Sequence, residues 1–368
     1  MFKGRIFKYL NYPLLFVTFA LVGIGIIFIS SASYQITLET NAQINYASKQ
    51  IVWVVVAFIA FLTIILYGYD RIVNLSYPIY FMNIALLILV LALGSERYGA
   101  QRWLQFGGFL LQPSEFAKIS IILVLARHIS LNVGSYRSFM FILRPMVLTF
   151  IPMILILRQP DLGTSLVFIP ILFSMIFVAG AMLKQLITLM SVGVLAMPIF
   201  WFLLKDYQKN RIRVFWDPNL DPTGLGYQAI QSKIAIGSGG LLGKGWLHGT
   251  QNQLNFLPKR HTDFIFSVIG EEWGFFGVMC VLILFLVLVL AGIYVASKSK
   301  DVYGKLVATG ISIMLLCHVV INIGMTIGLM PITGLPLLFL SYGGSSMLTA
   351  IISIALLQSI WIKRRYDY

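Results

Sequence analysis

The stretch Asn255-Phe-Leu-Pro-Lys-Arg-His-Thr-Asp263-Phe-Ile-Phe-Ser-Val-Ile-Gly270-Glu-Glu-Trp-Gly274 decides how the chain is read. It closes a long polar segment and opens a hydrophobic run. Pro258 ends what precedes it, and Thr262 or Asp263 has the side chain to cap the helix that follows. Asp263 is thereby predicted where water meets lipid, beside a helix N-terminus whose dipole favours an ionised carboxylate. Lys259, Arg260 and His261 lie immediately upstream. A carboxylate at a membrane surface beside three potential cations can serve as a general base on a phosphorylated lipid. Helix capping is the plainer role for Asp263, and the two roles are compatible.

Composition sets the frame around this stretch. Of 368 residues, 59% are hydrophobic and only 11% charged, and the mean hydropathy is +0.88. Soluble domains carry about 25% charged residues, so the length goes into membrane spans. The net charge of +14 does not point to nucleic acid, because the basic residues sit in short loops and form no single patch. Cys280 and Cys317 both fall in apolar runs and offer neither a disulfide framework nor metal-ligand spacing. The N-terminal segment with Lys3, Arg5 and Lys8 resembles the start of a signal peptide, but no cleavage pattern follows, and it reads as a retained first span.

Apolar runs fall near 13–31, 50–67, 77–94, 114–131, 140–157, 163–181, 185–204, 264–294, 304–328 and 337–362. A span needs ~20 largely apolar residues. The expectation is an all-α polytopic membrane protein of about ten transmembrane helices, one integral membrane domain over 1–368. A large extracytoplasmic loop, 205–262, would join helices 7 and 8. With a cytoplasmic N-terminus, the inner segments hold fourteen Lys and Arg and the short outer loops hold four, namely Lys49, Arg97, Arg102 and Arg158. That asymmetry favours cytoplasmic termini and puts Asp263 outside.

Three further segments offer chemistry. Tyr98-Gly-Ala-Gln-Arg102-Trp103-Leu-Gln-Phe-Gly107-Gly108 precedes Gln112-Pro113-Ser114-Glu115-Phe-Ala-Lys118. Pro113 suits a first helical turn. Glu115 and Lys118 are three apart on one helix face, and charges this deep pair with each other and face the protein or a wet cavity. They are a structural ion pair or part of a substrate site. Arg102 and Trp103 suit an interfacial anchor or, for Arg102, a phosphate contact. In Arg158-Gln-Pro-Asp161-Leu-Gly-Thr164, Asp161 caps the next span or supports a polar site. Glu271 and Glu272 lie ~12–13 Å beyond Asp263 on a continuous helix and need partners such as Lys118 or hydroxyls.

The run Gly237-Ser-Gly-Gly-Leu-Leu-Gly243-Lys-Gly245 fails as a nucleotide-binding loop: Ser238 and Gly245 stand where Gly and Ser/Thr are required. Its backbone N–H groups could still approach a pyrophosphate. His318 and Asn322 read as interhelical hydrogen-bonders. The uncharged segment from Pro331 to Ser346, with Ser341, Gly343 and Gly344, implies a broken or re-entrant helix lining a cavity, a place for a lipid head group.

Four motifs together carry a resemblance: Gly99-Ala-Gln-Arg-Trp with Gln112-Pro-Ser-Glu-Phe-Ala-Lys118; Gln159-Pro-Asp-Leu-Gly-Thr164; Asn255-Phe-Leu-Pro-Lys-Arg-His-Thr-Asp263-Phe; and Thr333-Gly-Leu-Pro with Ser341-Tyr-Gly-Gly-Ser345. In this order they resemble the SEDS family of bacterial shape, elongation, division and sporulation proteins. Gly245-Trp-Leu-His-Gly-Thr-Gln-Asn-Gln-Leu-Asn-Phe-Leu-Pro and Arg260 are similar to its elongation branch, while Lys259 stands where members often carry Glu. The resemblance implies a peptidoglycan glycosyltransferase that polymerises lipid II at the outer face of the bacterial cytoplasmic membrane. It implies Asp263 as the essential aspartate, with Glu115, Lys118 and Asp161 in support, and a class B penicillin-binding protein and other elongation-complex membrane proteins as partners. Arg102, Lys118, Arg260 or a divalent cation, Mg or Mn, would hold the pyrophosphate. Trp103, His261, Glu272, Ser341, Gly343 and Gly344 are the remaining candidates for the site. A lipid II flippase, for which Glu115, Lys118 and Glu272 would line a path, and a non-catalytic scaffold for the transpeptidase are the competing readings.

Overall fold

The structure is a computed structural model that describes residues 8–39, 45–97, 100–106, 109–132 and 135–366. Lys3, Arg5, Gly99, Gly107 and Gly108 lie outside the described residues.

The chain is helical almost throughout. Each apolar run forms a helix: α1 (Tyr12–Glu39), α2 (Tyr46–Tyr67), then after the short α3 (Tyr69–Asn74), α4 (Ser76–Leu93). They continue with α5 (Pro113–Ser130), α6 (Phe139–Arg158), α7 (Leu162–Val178) and α8 (Leu183–Leu203). After a polar excursion come α12 (Ile265–Lys298), α13 (Val302–Ile327) and α14 (Gly344–Tyr366). Among the described residues, seven helices are long and apolar enough to cross a membrane, and α7 and α8 are shorter apolar helices. α5 carries Glu115, Lys118 and Arg127 within 18 residues. The protein is an integral membrane protein.

α5, α13 and α14 form the centre, buried along most of their length, and the other helices ring them. α2, α4, α6 and α8 keep broad apolar faces exposed. Such faces are at home only against lipid, where burial brings no hydrophobic gain and packing decides contact.

Three features depart from the expectation. The segment before α5 is a small antiparallel sheet, β1 (Ser95–Arg97), β2 (Ala100–Phe106) and β3 (Phe109–Leu111), with Ser95 opposite Trp103 and Leu104 opposite Leu111. β1 and β3, three residues each, are too short to show a period-2 pattern. The 205–262 excursion is largely helical, with α9 (Asp206–Trp216), α10 (Leu225–Ser238) and the single turn α11 (Thr250–Gln253). Asp221 caps α10, accepting from the N–H groups of Gly224 and Leu225. The last helix starts at Gly344, seven residues after the apolar run begins. Leu337 to Gly343 is instead non-helical backbone, with Ser341 N–H bonded to Leu337 O and Ser341 Oγ accepting from Leu337 N–H.

The glycine-rich run has a structural job. α12 breaks at Gly274 (φ 63°, ψ −159°), which strips partners from the backbone on either side. The run supplies them: Lys244 and Gly245 N–H donate to the Glu271 and Glu272 carbonyls, and Phe275 and Phe276 N–H donate to the Gly240 and Leu241 carbonyls. Broken backbone at membrane depth survives only when neighbours satisfy it in this way. These N–H groups are therefore spent on α12 and do not face a pyrophosphate. Gly243 sits at φ +81°, and a Cβ there would lie 2.2 Å from the Glu272 carbonyl oxygen. Gly243→Ala is expected to cost ~1–3 kcal/mol, read as a lower melting temperature in detergent.

Candidate functional site

The residues around Asp263 are held by backbone contacts from three directions. Lys259 takes a left-handed conformation (φ 52°), and its carbonyl accepts from the N–H groups of Thr262 and Phe264. Tyr342 N–H donates to the His261 carbonyl at 2.9 Å, and Ser341 Oγ to the Thr262 carbonyl at 2.6 Å. Asn322 Nδ2 on α13 donates both to the Asp263 carbonyl (2.9 Å) and to the Leu335 carbonyl (2.8 Å). The non-helical segment 331–343 is thus stitched to the Asp263 turn.

Neither Thr262 nor Asp263 caps the helix. The N-cap position of α12 is Phe264, without a side-chain cap, and Thr262 Oγ1 donates back to the Lys259 carbonyl. With the capping role gone, the Asp263 carboxylate is left for other work. It lies over Gly334, where a Cβ would touch Oδ2 at 3.4 Å. Burial pushes its carboxyl above the usual range, opposed by the nearby charges of Lys259, Arg211 and Arg102 and by Thr262.

Asp161 joins the same cluster. It caps α7 by accepting from Thr164 N–H at 3.2 Å and faces Arg102 at 3.7 Å. Gln112 and Ser114 also donate to its Oδ2, each at 3.3 Å. Arg102 Nε donates to the Gln159 carbonyl at 3.1 Å, and Nη2 donates to that of Pro160. Arg211, on α9, donates from Nη1 to the Thr333 carbonyl at 2.7 Å. Its charge lies within reach of Arg102, Asp161, Tyr207 and Asp263. Two carboxylates and two guanidiniums therefore converge beside the 331–343 segment.

The other sequence candidates lie around this cluster. Glu115, Lys118 and His318 form a buried triad: Lys118 Nζ donates to Glu115 Oε2 (2.9 Å) and meets His318 Nε2 (2.8 Å), and His318 Nδ1 meets the Pro336 carbonyl (2.9 Å). A carbonyl can only accept and an ammonium can only donate, so the proton sits on Nδ1 of a neutral imidazole. The triad braces the 331–343 segment from below. Glu272 accepts from Ser31 Oγ (2.5 Å) and Asn252 Nδ2 (3.1 Å) and does not meet Lys118. Lys244 pairs instead with Glu271 at 2.8 Å. Arg260 is buried, with Nε on the Ala32 carbonyl at 2.7 Å. His261 stacks on Tyr46 at 4.6 Å. Trp103 accepts at its carbonyl from Ser95 Oγ. The Gly343 N–H donates to Gln50 Oε1, and a Cβ on Gly344 would meet the Trp53 ring at 2.1 Å. Among the described residues, no group of three or more His, Cys, Asp or Glu side chains could hold a metal. Asp161 and Asp263 face guanidiniums, so Mg or Mn held there would draw most of its oxygen ligands from substrate phosphates and water.

The sequence profile described as cell cycle protein, for FtsW, RodA and SpoVE, matches residues 12–366. The chain belongs to this SEDS family. SEDS relatives include peptidoglycan glycosyltransferase MrdB of Escherichia coli K12, 42% identical over 78% of each chain. Peptidoglycan glycosyltransferase RodA of Treponema pallidum is 36% identical over 95% of this chain and 97% of its own. Among solved structures, a chain of a peptidoglycan synthase complex superposes with a TM-score of 0.83 at 33% identity, covering 97% of this chain and 99% of that one. Thermus thermophilus rod shape determining protein RodA gives 0.72 at 29% identity, covering 97% and 98%. The fold is RodA-like.

Arg211 is the member of this candidate site that sequence reasoning missed. It was one of eight basic residues in a segment read as loop. The signal was present: Tyr207, Arg211 and Val214 share one face at helical spacing, and Val214 is buried. A charged residue on the inward stripe of a short helix marks a polar target.

His261 offers a pH test. Burial, with Arg260 adding to it, lowers its pKa to about 4, against ~6.5 in an unfolded chain. Between these values the unfolded state binds more protons, so this histidine's contribution is complete above pH 6.5 and is lost as pH falls toward 4. His261→Gln is expected to flatten that part of the dependence of melting temperature on pH.

Proposed function

We infer that this SEDS protein is a peptidoglycan glycosyltransferase that polymerises lipid II into β-1,4 glycan during cell elongation. The observation that carries the reading is the uncapped Asp263 carboxylate beside the guanidiniums of Arg211 and Arg102. Lipid II carries an α-linked sugar on a polyprenyl pyrophosphate. One in-line attack by the acceptor 4-hydroxyl forms the O4–C1 bond, breaks the bond from C1 to the pyrophosphate oxygen and inverts the anomeric centre. Asp263 takes the hydroxyl proton, and the bonding pair leaves on the pyrophosphate. Burial without loss of nearby cations suits the base, since a carboxyl closer to the working pH accepts a proton more readily.

Ten spans, cytoplasmic termini and an outer-face site fit the Lys/Arg asymmetry of the loops. In that arrangement the 205–262 excursion covers the outer face of one membrane domain and contributes Arg211. A class B penicillin-binding protein transpeptidase is the proposed partner, alongside other elongation-complex membrane proteins, supported by the likeness to a chain of a peptidoglycan synthase complex. The flippase reading is disfavoured by the sealing of Lys118 and His318, each 0% exposed.

The test is lipid II polymerisation by purified protein with its transpeptidase partner, with unrelated polymerases inhibited. Wild type is expected to make glycan strands and Asp263→Ala none. Transport of lipid II across vesicles without strand formation would replace the transferase with the flippase. Full activity of Asp263→Ala would remove Asp263 as the base.

A further inference from the structure

Arg102 and Arg211 both reach Asp263 electrostatically, but their donors are spent differently. All three side-chain nitrogens of Arg102 face the 159–161 turn, at Gln159, Pro160 and Asp161. Arg211 is half-buried and gives only Nη1 to Thr333. Its Nε and Nη2 meet no acceptor among the described residues. Arg211 also lines a narrow cleft walled by Val214, Phe215, Met325 and Ile332, with Lys233 on the same cleft. Lys233 is exposed and passes directly over Gly328 (φ +79°), where a Cβ would lie 2.0 Å from Lys233 Cε. Gly328 thus leaves the lysine its route along the cleft. An apolar cleft with two cations, one of them shared with the Asp263 cluster, matches the head of a lipid-linked pyrophosphate.

We propose that Arg211, assisted by Lys233, holds the pyrophosphate of the donor, while Arg102 holds the turn that carries Asp161. The assignment rests on the transferase reading above. The first isoprenyl carbons lie against Phe215, and the rest of the tail runs into lipid. As the C1–O bond breaks, its electron pair passes to the pyrophosphate oxygen and the 4-hydroxyl proton to Asp263. The guanidinium of Arg211, able to bond two phosphate oxygens at once, offsets the new negative charge.

The probe is a fluorescent polyprenyl pyrophosphate in detergent, which carries no sugar to transfer, titrated into Asp263→Asn protein. Adding Arg211→Ala is expected to weaken binding at least 10-fold and Lys233→Ala about threefold. Arg211→Lys should fall between Arg211→Ala and the parent, because it keeps the charge and loses the paired contact. Melting temperatures are recorded throughout. Were Arg211 merely a strut for Thr333, Arg211→Ala would lower the melting temperature and leave probe affinity unchanged, and that result overturns the proposal. Should Arg211→Ala fail to fold, the comparison rests on Arg211→Lys and Lys233→Ala, and unaltered affinity in both overturns it. Lipid II polymerisation by the protein with Asp263 intact is the separate control. Absence of glycan strands there overturns the transferase reading and this assignment together, whereas unchanged probe affinity of Arg211→Ala beside an active wild type rejects the assignment alone.

Discussion

Asp263→Asn is expected to lower lipid II polymerisation by about 10²–10⁴-fold, the usual contribution of a positioned general base. The variant is expected to stay folded, for a specific physical reason. Burial raises the folded pKa of Asp263 above its unfolded value. The native state therefore holds its proton more tightly than the unfolded chain does. Stability falls as pH rises from the unfolded pKa through the folded one. Asparagine removes that cost, so the melting temperature of Asp263→Asn at pH 7 is expected to equal or exceed that of wild type. The same shift predicts an acid limb in kcat/KM for the wild-type enzyme, lying above the ordinary carboxylate range, with activity falling as pH drops through it. An Asp263→Asn protein that polymerises at near wild-type rate, or an acid limb that persists unchanged in its residual activity, would remove the carboxylate from this role.

Lys118→Met is the largest expected loss of stability, ~3–5 kcal/mol, the usual cost of removing one partner of a buried ion pair. Lys118 is fully buried, with its ammonium between Glu115 and His318. Removing it leaves the Glu115 carboxylate and the His318 imidazole without their shared donor. Glu115→Gln together with Lys118→Met should recover most of the loss, because a neutral pair carries no uncompensated charge. The measurement is thermal unfolding in detergent across the double-mutant cycle. Since His318 also meets the Pro336 carbonyl, activity should fall with stability in the single variant and return only in part in the double. Equal stability of single and double variants would show that no ion pair was being broken.

Much of this protein was legible from its sequence. Helix placement was readable because a membrane span is decided locally: ~20 apolar residues suffice, and Pro113 at a first turn marks where a helix starts. Asp263 and the Glu115–Lys118 pair were readable because charged residues are rare in such a chain and so stand out. The resemblance carried the family because its four motifs lie in order along the whole chain.

What the sequence alone left open depends on contacts between distant segments. Nothing local says that Asp263 will go uncapped, since that follows from Ser341, Tyr342 and Asn322 pulling its turn toward the 331–343 segment. The glycine-rich run looked like a ligand loop until its N–H groups were found on the carbonyls of a helix broken at Gly274. Lys118 was paired with Glu115 by spacing, but its second partner, His318, is 200 positions away. The roles of Arg102 and Arg211 are separated in the same way. Both are arginines in polar segments, and only the fold decides which one spends its donors on the protein and which keeps them beside the carboxylate. Hydrophobic periodicity and turn residues encode where the backbone can be helical. Which polar groups are left over once the backbone is satisfied is settled by packing, and in this protein those leftover groups form the candidate site.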